Sequence, residues 1–170
     1  RRQGGSAYDF FLVEWAGIDP EDGLPMWYMT NNAGERVTTK TYDNANTTKS
    51  KIIAGSSLPD LTGGFSTNLR YKNFELSAMF AYSIGGKLYD RDKIYILNQS
   101  GAGRAMSSEI LNRWTPENRY TDVPRVQTST TNWTSISTRF LHSASYMRMK
   151  NISLSYNVPK TITTLLYLNS

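Results

Sequence analysis

Gly63-Gly64-Phe65-Ser66-Thr67-Asn68-Leu69-Arg70-Tyr71-Lys72-Asn73-Phe74-Glu75-Leu76-Ser77-Ala78-Met79-Phe80-Ala81-Tyr82-Ser83-Ile84 is the stretch that decides the fold. Phe65, Thr67, Leu69 and Tyr71 alternate with Ser66, Asn68 and Arg70; after Lys72-Asn73 the phase restarts with Phe74, Leu76, Ala78, Phe80, Tyr82 and Ile84. Side chains on a strand alternate between its faces, so this is the pattern of two half-buried strands joined by a two-residue turn. Such a turn pairs each residue with the one whose number brings the sum to 145. Directly opposed residues share a face and sit within roughly 5.5 Å, so the register can be tested by chemistry. It sets Tyr71 against Phe74, Leu69 against Leu76, Phe65 against Phe80 and Tyr82 against Gly63 on one face. On the other, Arg70 meets Glu75 and Asn68 meets Ser77, and only Ser66 with Met79 is mismatched.

The apolar face of this hairpin needs a partner, and two kinds suit it. A second sheet would cover it in a sandwich, and lipid would cover it in an outer-membrane barrel. About nine residues per strand, with Tyr71 and Phe74 at the turn and Tyr82 at the far end, match a tilted spanning strand between aromatic girdles.

Working outward, Tyr8 to Ala16 is apolar on both phases, as in a strand covered on both sides, and Gly17 to Pro25 break it. Met26 to Met29, the turn signal Asn31-Asn32-Ala33-Gly34, and Arg36 to Tyr42 predict a hairpin with a longer loop. Residues 43–57 read as polar loop. After Gly85-Gly86 a long polar region runs to about residue 143, and connections of that length are commonly functional. One short helix is expected there: Ser107 or Ser108 can cap it, Met106, Ile110 and Trp114 recur at helical spacing, and Pro116 ends it. Residues 121–138 read as an extended or mobile loop. Alternation resumes from Tyr146 to Val158, although Arg148 and Lys150 fall on the phase of Ile152, Leu154 and Tyr156. A strand running past its core or its membrane would do this. The tail from Thr161 to Ser170 fits either a short helix or a strand.

Composition agrees with an all-β chain. The 170 residues are within the range of one domain. Ser, Thr and Asn supply 49 residues and the charged types only 33, while 21 are aromatic, a balance that suits strands and turns and not a helical bundle. Mean hydropathy is −0.49, and no run approaches the roughly 18 apolar residues of a spanning helix. The net charge of +5 is dispersed, without the dense basic run of a nucleic-acid tail, so no nucleic-acid partner is expected. With no cysteine there is neither a disulfide framework nor a thiolate metal site. The chain opens Arg1-Arg2-Gln3, without an initiator Met or signal-peptide core, and reads as a piece of something longer.

The sequence carries no catalytic or metal-binding pattern. A single histidine, His142, excludes a multi-histidine site. Asp19-Pro20-Glu21-Asp22-Gly23 has the acids of a calcium loop, but Pro20 interrupts them and Thr30 stands where an EF-hand needs glutamate. Carboxylate pairs such as Glu75 with Asp90 or Asp92 carry no glycosidase signal. Gly63-Gly64 and Gly85-Gly86 lie outside any phosphate-loop pattern. No catalytic, cofactor or metal residue is therefore assigned. Trp114, Tyr120 and Trp133 are candidate ligand contacts, since aromatic rings stack on sugar faces, although anchoring the loop is the plainer role for each.

Seven blocks together resemble a known family. They are Trp15-Ala16-Gly17-Ile18-Asp19-Pro20, Leu58-Pro59-Asp60-Leu61-Thr62-Gly63-Gly64, Tyr71-Lys72-Asn73-Phe74-Glu75-Leu76, Tyr82-Ser83-Ile84-Gly85-Gly86-Lys87, Arg113-Trp114-Thr115-Pro116-Glu117-Asn118, Asp122-Val123-Pro124-Arg125, and Ser145-Tyr146-Met147-Arg148-Met149-Lys150-Asn151-Ile152-Ser153-Leu154-Ser155-Tyr156. In this order they resemble the late barrel region of SusC/RagA-type TonB-dependent outer-membrane transporters. The resemblance implies antiparallel strands and hairpins from a 22-stranded transmembrane barrel, placed in the bacterial outer membrane. It implies import of oligosaccharides or peptides with a SusD-type lipoprotein partner and energy relayed by TonB, and no enzymatic activity. Residues 1–170 would then be a partial barrel domain, with the plug, the TonB box and the final strands outside it. Asn68, Arg70, Glu75 and Ser77 become lumen-facing candidates, able to touch cargo or plug, with Arg70 and Glu75 expected to form a salt pair. The alternative is a soluble β-sandwich that binds glycans through loop aromatics; an enzyme ranks third. Where Phe65, Leu69, Leu76 and Phe80 go discriminates the first two readings.

Overall fold

The computed structural model describes residues 4–97, 105–127 and 132–159. They form two compact units, one drawn from Arg1–Ser57 and Lys87–Ser143, the other from Leu58–Gly86 and Ala144–Ser170. The strands are β1 (Asp9–Leu12), β2 (Trp15–Ile18), β3 (Pro25–Thr30), β4 (Arg36–Thr39), β5 (Ile52–Ser56), β6 (Leu61–Tyr71), β7 (Phe74–Ile84), β8 (Lys87–Tyr89), β9 (Leu141–Ser143) and β10 (Tyr146–Tyr156), with short helices α1 (Tyr42–Ala45) and α2 (Arg91–Leu97). All strand pairs are antiparallel.

The second unit is a sheet in the order β10-β7-β6, built on the hairpin. Its register is the expected one from Leu61 against Ile84 to Tyr71 against Phe74. The two-residue turn holds Lys72 at φ +54°, in the left-handed region that two-residue hairpins favour. Stacked rings of Phe65 and Phe80, 4.9 Å apart, fix the middle of the pair. The Tyr82 ring lies over Gly63, where a Cβ would come within 2.6 Å of its hydroxyl, so the glycine makes room for a cross-strand aromatic.

β10 explains its own misplaced charges. It pairs with β7 from Tyr146 opposite Ser83 to Tyr156 opposite Phe74, but between Met149 and Asn151 the register shifts by one residue. Lys150 is the extra residue of a bulge, which reverses the facial phase of what precedes it. Met147 and Met149 thereby join Ile152, Leu154 and Tyr156 on the apolar face, and Arg148 moves to the polar one. The Tyr156 ring closes on Phe74 at 4.7 Å. The charges are thus accommodated by the bulge, and no exit of the strand from its apolar surroundings is needed.

That apolar face is open. Phe65 is 48% exposed, Leu69 59%, Ile152 58% and Leu154 69%. Leu76 and Phe80, on the central strand, are half-buried by their neighbours within the sheet.

The first unit differs from expectation in detail. The apolar run from Tyr8 to Ala16 is two strands: β1 pairs with β5, and β2 pairs with β3. Between them Val13 is fully buried and bridges Ser137 in parallel, so the run changes sheets at that point. The break begins later than Gly17, because Gly17 and Ile18 still pair with Met26 and Pro25. The turn is tied by Glu21 N–H to Asp19 Oδ1 (2.9 Å) and Leu24 N–H to Asp22 Oδ1 (3.0 Å). The predicted hairpin is present as β3 and β4, with Glu35 N–H donating to Asn31 Oδ1 (2.9 Å) in its loop. Residues 43–57, expected as loop, hold most of α1 and all of β5.

The expected helix near Ser107 is a 3-10 turn over Ser108–Asn112, capped by the Ser107 hydroxyl, which accepts from Glu109 N–H at 3.2 Å. Its end at Asn112 leaves Trp114 outside the helix, while α2, unforeseen, lies further upstream. A second 3-10 turn, Thr138–Phe140, falls where loop was expected and leads into β9. The tail from Thr161 to Ser170 lies outside the described residues. No described helix is long and apolar enough to cross a membrane, which says nothing of strands.

Candidate functional site

Two surfaces hold the residues singled out by sequence. On the sheet, Asn68 and Arg70 of β6 stand opposite Ser77 and Glu75 of β7. Ser153 and Ser155 of β10 continue the row on the other side of β7. All share the face opposite Phe65, Leu69 and Leu76, since strand neighbours alternate. The expected salt pair is absent: Arg70 and Glu75 are cross-strand neighbours, but the ion pairs among the described residues are Arg36–Glu14, Lys40–Asp19, Lys40–Asp22 and Lys93–Glu109. Their charged ends remain open to solvent or to a ligand.

The loop aromatics are placed by the first unit, which has two apolar clusters. Val13, Trp27 and Ala45 form one; Leu97, Ile110, Val123, Trp133 and Phe140 form the other, and Trp15 packs against both. Trp133 is only 3% exposed, so its ring is packed as core and offers no open face for stacking. Trp114 is half-buried, its indole N–H donates to the Pro20 carbonyl at 3.1 Å, and its ring lies against Gly23. A Cβ at Gly23 would stand 2.5 Å from that ring, and φ there is +70°, so glycine meets both conditions. Tyr120 alone of the three stands free, 92% exposed. It borders a polar cleft of about 380 Å³ with Pro20, Asn112, Arg119, Thr121 and Asp122.

Arg139 shows why the second cluster holds so many rings. Its guanidinium carbon lies 4.7 Å from the Trp15 ring centre and 5.1 Å from that of Trp133, and one terminal nitrogen is buried without a hydrogen bond. Burial lowers its pKa to about 10, opposed by Asp122 and Glu109, so it stays charged at neutral pH. The aromatic faces stabilise a partly desolvated cation.

The acidic loop is also accounted for. Lys40 Nζ lies 2.6 Å from Asp19 Oδ2 and 2.8 Å from Asp22 Oδ2, so an ammonium already occupies the place a metal ion would take. The Lys40 hydrogen bond, with that of the Glu21 amide, holds the Asp19 carboxyl below its ordinary value. Among the described residues no group of acids, histidines or cysteines could hold a metal. His142 is exposed on β9, opposite Leu88.

A larger cleft, about 630 Å³, went unseen in the sequence. Its walls include Phe10, Tyr42, Tyr89, Arg91, Ile94 and Tyr95, from three segments of the first unit far apart in the chain. Tyr42 donates its hydroxyl to the Ile136 carbonyl at 2.8 Å. The Tyr89 hydroxyl is buried near the Ser137 amide, and its ring is held between Phe10 (6.4 Å) and Phe140 (6.5 Å). Burial raises the pKa of both phenols; the Tyr89 phenol and Asp43 push Tyr42 further, while the Ser137 amide and Arg91 oppose the rise at Tyr89. No contiguous motif announces this cleft; each ring alone reads as core.

No protein-family profile matches the chain. Two curated relatives do. A TonB-dependent receptor P3 of Formosa agariphila is 32% identical over 166 residues, 94% of this chain and 16% of the relative. A TonB-dependent receptor P26 of the same organism is 31% identical over 150 residues, 88% of this chain and 15% of the relative. Among solved structures, the RagAB peptide importer in its closed-closed state matches with TM-score 0.68 and 32% identity, over 91% of this chain and 17% of that one. The RagAB peptide transporter matches with TM-score 0.66 at the same identity and coverage. The chain spans about a sixth of the length of the curated relatives it matches. Those relatives are named as receptors and importers, not enzymes.

Proposed function

For a chain homologous over most of its length to TonB-dependent receptors, and whose antiparallel fold matches a segment of a RagA-type β-barrel transporter, we propose a role as part of an outer-membrane importer. Residues 1–170 are then a partial barrel domain. The observation that carries the reading is the open apolar face of β6, β7 and β10. Each strand has 11 residues, about 36 Å when extended. At the roughly 45° tilt of barrel strands this covers an apolar band of about 25 Å. Phe65, Leu69, Ile152 and Leu154 then meet lipid, and Asn68, Arg70, Glu75 and Ser77 face the lumen, where plug or cargo passes. A soluble sandwich would need a second sheet over these residues, and they are exposed.

The reading extends to import of oligosaccharides or peptides, powered through TonB by a part of the protein outside these residues, with a SusD-type lipoprotein over the entrance; the TonB-dependent receptor and RagAB likenesses support it. The RagAB likeness favours peptides over oligosaccharides. Tyr120, and less openly Trp114, are the loop aromatics left for cargo contact. The test is uptake of a fluorescent peptide and a fluorescent oligosaccharide by cells expressing the full-length protein, with TonB and the lipoprotein each removed in turn. Peptide uptake that disappears without TonB is the expected result. Uptake indifferent to TonB contradicts the reading.

A further inference from the structure

The cleft between Phe10, Tyr42, Tyr89 and Tyr95 has the composition of a ligand site. Its volume of about 630 Å³ falls in the range of small-molecule pockets. Its walls are mainly rings and aliphatic side chains, which suit an apolar guest. Only one lining side chain is charged, Arg91, and no lining residue is acidic. Arg91 is exposed and forms no ion pair among the described residues. A guest with an apolar body and a negative charge toward Arg91 meets both conditions. A free sugar does not, because its many hydroxyls would find few partners on these walls.

We infer that this cleft is a cargo subsite for an aromatic or large aliphatic side chain whose residue carries a carboxylate, as at the C-terminus of a peptide. The inference rests on the importer reading and adds to it where on the loops, and by which chemistry, a peptide end is held.

The experiment uses the full-length protein in detergent, titrated by calorimetry with N-acetyl-phenylalanine, its uncharged amide and a glucose trisaccharide. Two variants accompany it: Arg91→Gln and Tyr95→Ala. Arg91 and Tyr95 are exposed, so neither change removes core packing. The acid is expected to bind the natural protein, with affinity about tenfold lower in Arg91→Gln, the size of a lost charge-assisted hydrogen bond. The amide should be indifferent to Arg91→Gln, while Tyr95→Ala should weaken acid and amide alike. The inference is overturned if neither aromatic probe binds at millimolar concentration, if the trisaccharide binds in their place, or if the acid's affinity is unchanged in both variants. Peptide uptake measured in parallel separates the two readings: unaltered uptake in every variant removes the subsite and leaves the importer, whereas TonB-independent uptake removes the importer while the titration still decides the cleft.

Discussion

The sheet of β6, β7 and β10 and the unit built from residues 4–57 and 87–143 solve the burial problem in opposite ways. In the first, every strand alternates, one face is apolar throughout, and that face is left open. In the second, strands are three to six residues long, and the apolar side chains turn inward as two clusters centred on Trp27 and Phe140, both fully buried. The first arrangement is stable only where something outside the chain is apolar. The second carries its own core and can stand in water. On the importer reading, one stretch of sequence thus holds a surface for lipid and a body for the aqueous side.

Register is where this contrast breaks most easily. Deleting Ser77 from the central strand turns the residues on one side of the gap to the wrong face against both neighbours, and the sheet should be lost outright. Deleting Lys150 removes a residue that pairs with nothing in β7 and should leave the sheet formed. The yield of folded, protease-resistant full-length protein in membranes reads both. Next in size, Trp27→Ala removes a side chain packed edge-on against Trp15 (5.7 Å) and Tyr42 (5.4 Å). A loss of about 3–5 kcal/mol is expected. It should appear as early proteolysis within residues 4–57 and 87–143, with the sheet still protected.

Charge placement sharpens the comparison within the sheet itself. Phe65→Lys sets a cation on the apolar face midway along β6 and should cost about 2–4 kcal/mol in a bilayer. Ser66→Lys, one residue on, should cost within about 0.5 kcal/mol, as ordinary surface changes do. Urea titrations of the reconstituted protein compare the two directly. The smallest effect belongs to the loop unit: Lys40→Met should cost less than about 1 kcal/mol, because the pair with Asp19 and Asp22 is solvent-screened. Its pH dependence has a definite sign. The Asp19 pKa is lowered from 3.8, so its contribution is complete above that value and is lost as pH falls through the folded pKa. The Lys40 pKa is raised from 10.5, so its contribution is complete below that value and is lost as pH rises through the folded pKa. The difference between natural protein and Lys40→Met should therefore be flat from about pH 4 to 10 and shrink outside that window.

The two regions also differ in how far the sequence exposes them. The hairpin was legible to the residue, because a two-residue turn and strict alternation admit one register, and the paired side chains check it. The bulge at Lys150 was not, since a single inserted residue looks the same in sequence as charges on the wrong phase. In the loop unit, local signals were right about the Asn31-Asn32-Ala33-Gly34 turn and the Ser107 cap. They missed β5, which is half exposed and gains its identity from β1, and α2, whose apolar positions serve clusters assembled from distant segments. The same limit hid the aromatic cleft, because Phe10, Tyr42, Tyr89 and Tyr95 meet only in three dimensions. Among the candidate residues, the row of Asn68, Arg70, Glu75 and Ser77 was readable from alternation. That Trp133 is core and Tyr120 free was not, since both sit in polar surroundings in the chain.

The central claim is that one face of β6 meets lipid and the other meets water. Spin labels placed one at a time from residue 64 to 71 of the full-length protein in bilayers test it most directly. The account predicts alternation: collisions with oxygen, which concentrates in lipid, are highest at 65, 67 and 69, and collisions with a water-soluble nickel complex are highest at 66, 68 and 70. Nickel access that is high and equal on both faces, or a profile without a two-residue period, would contradict it.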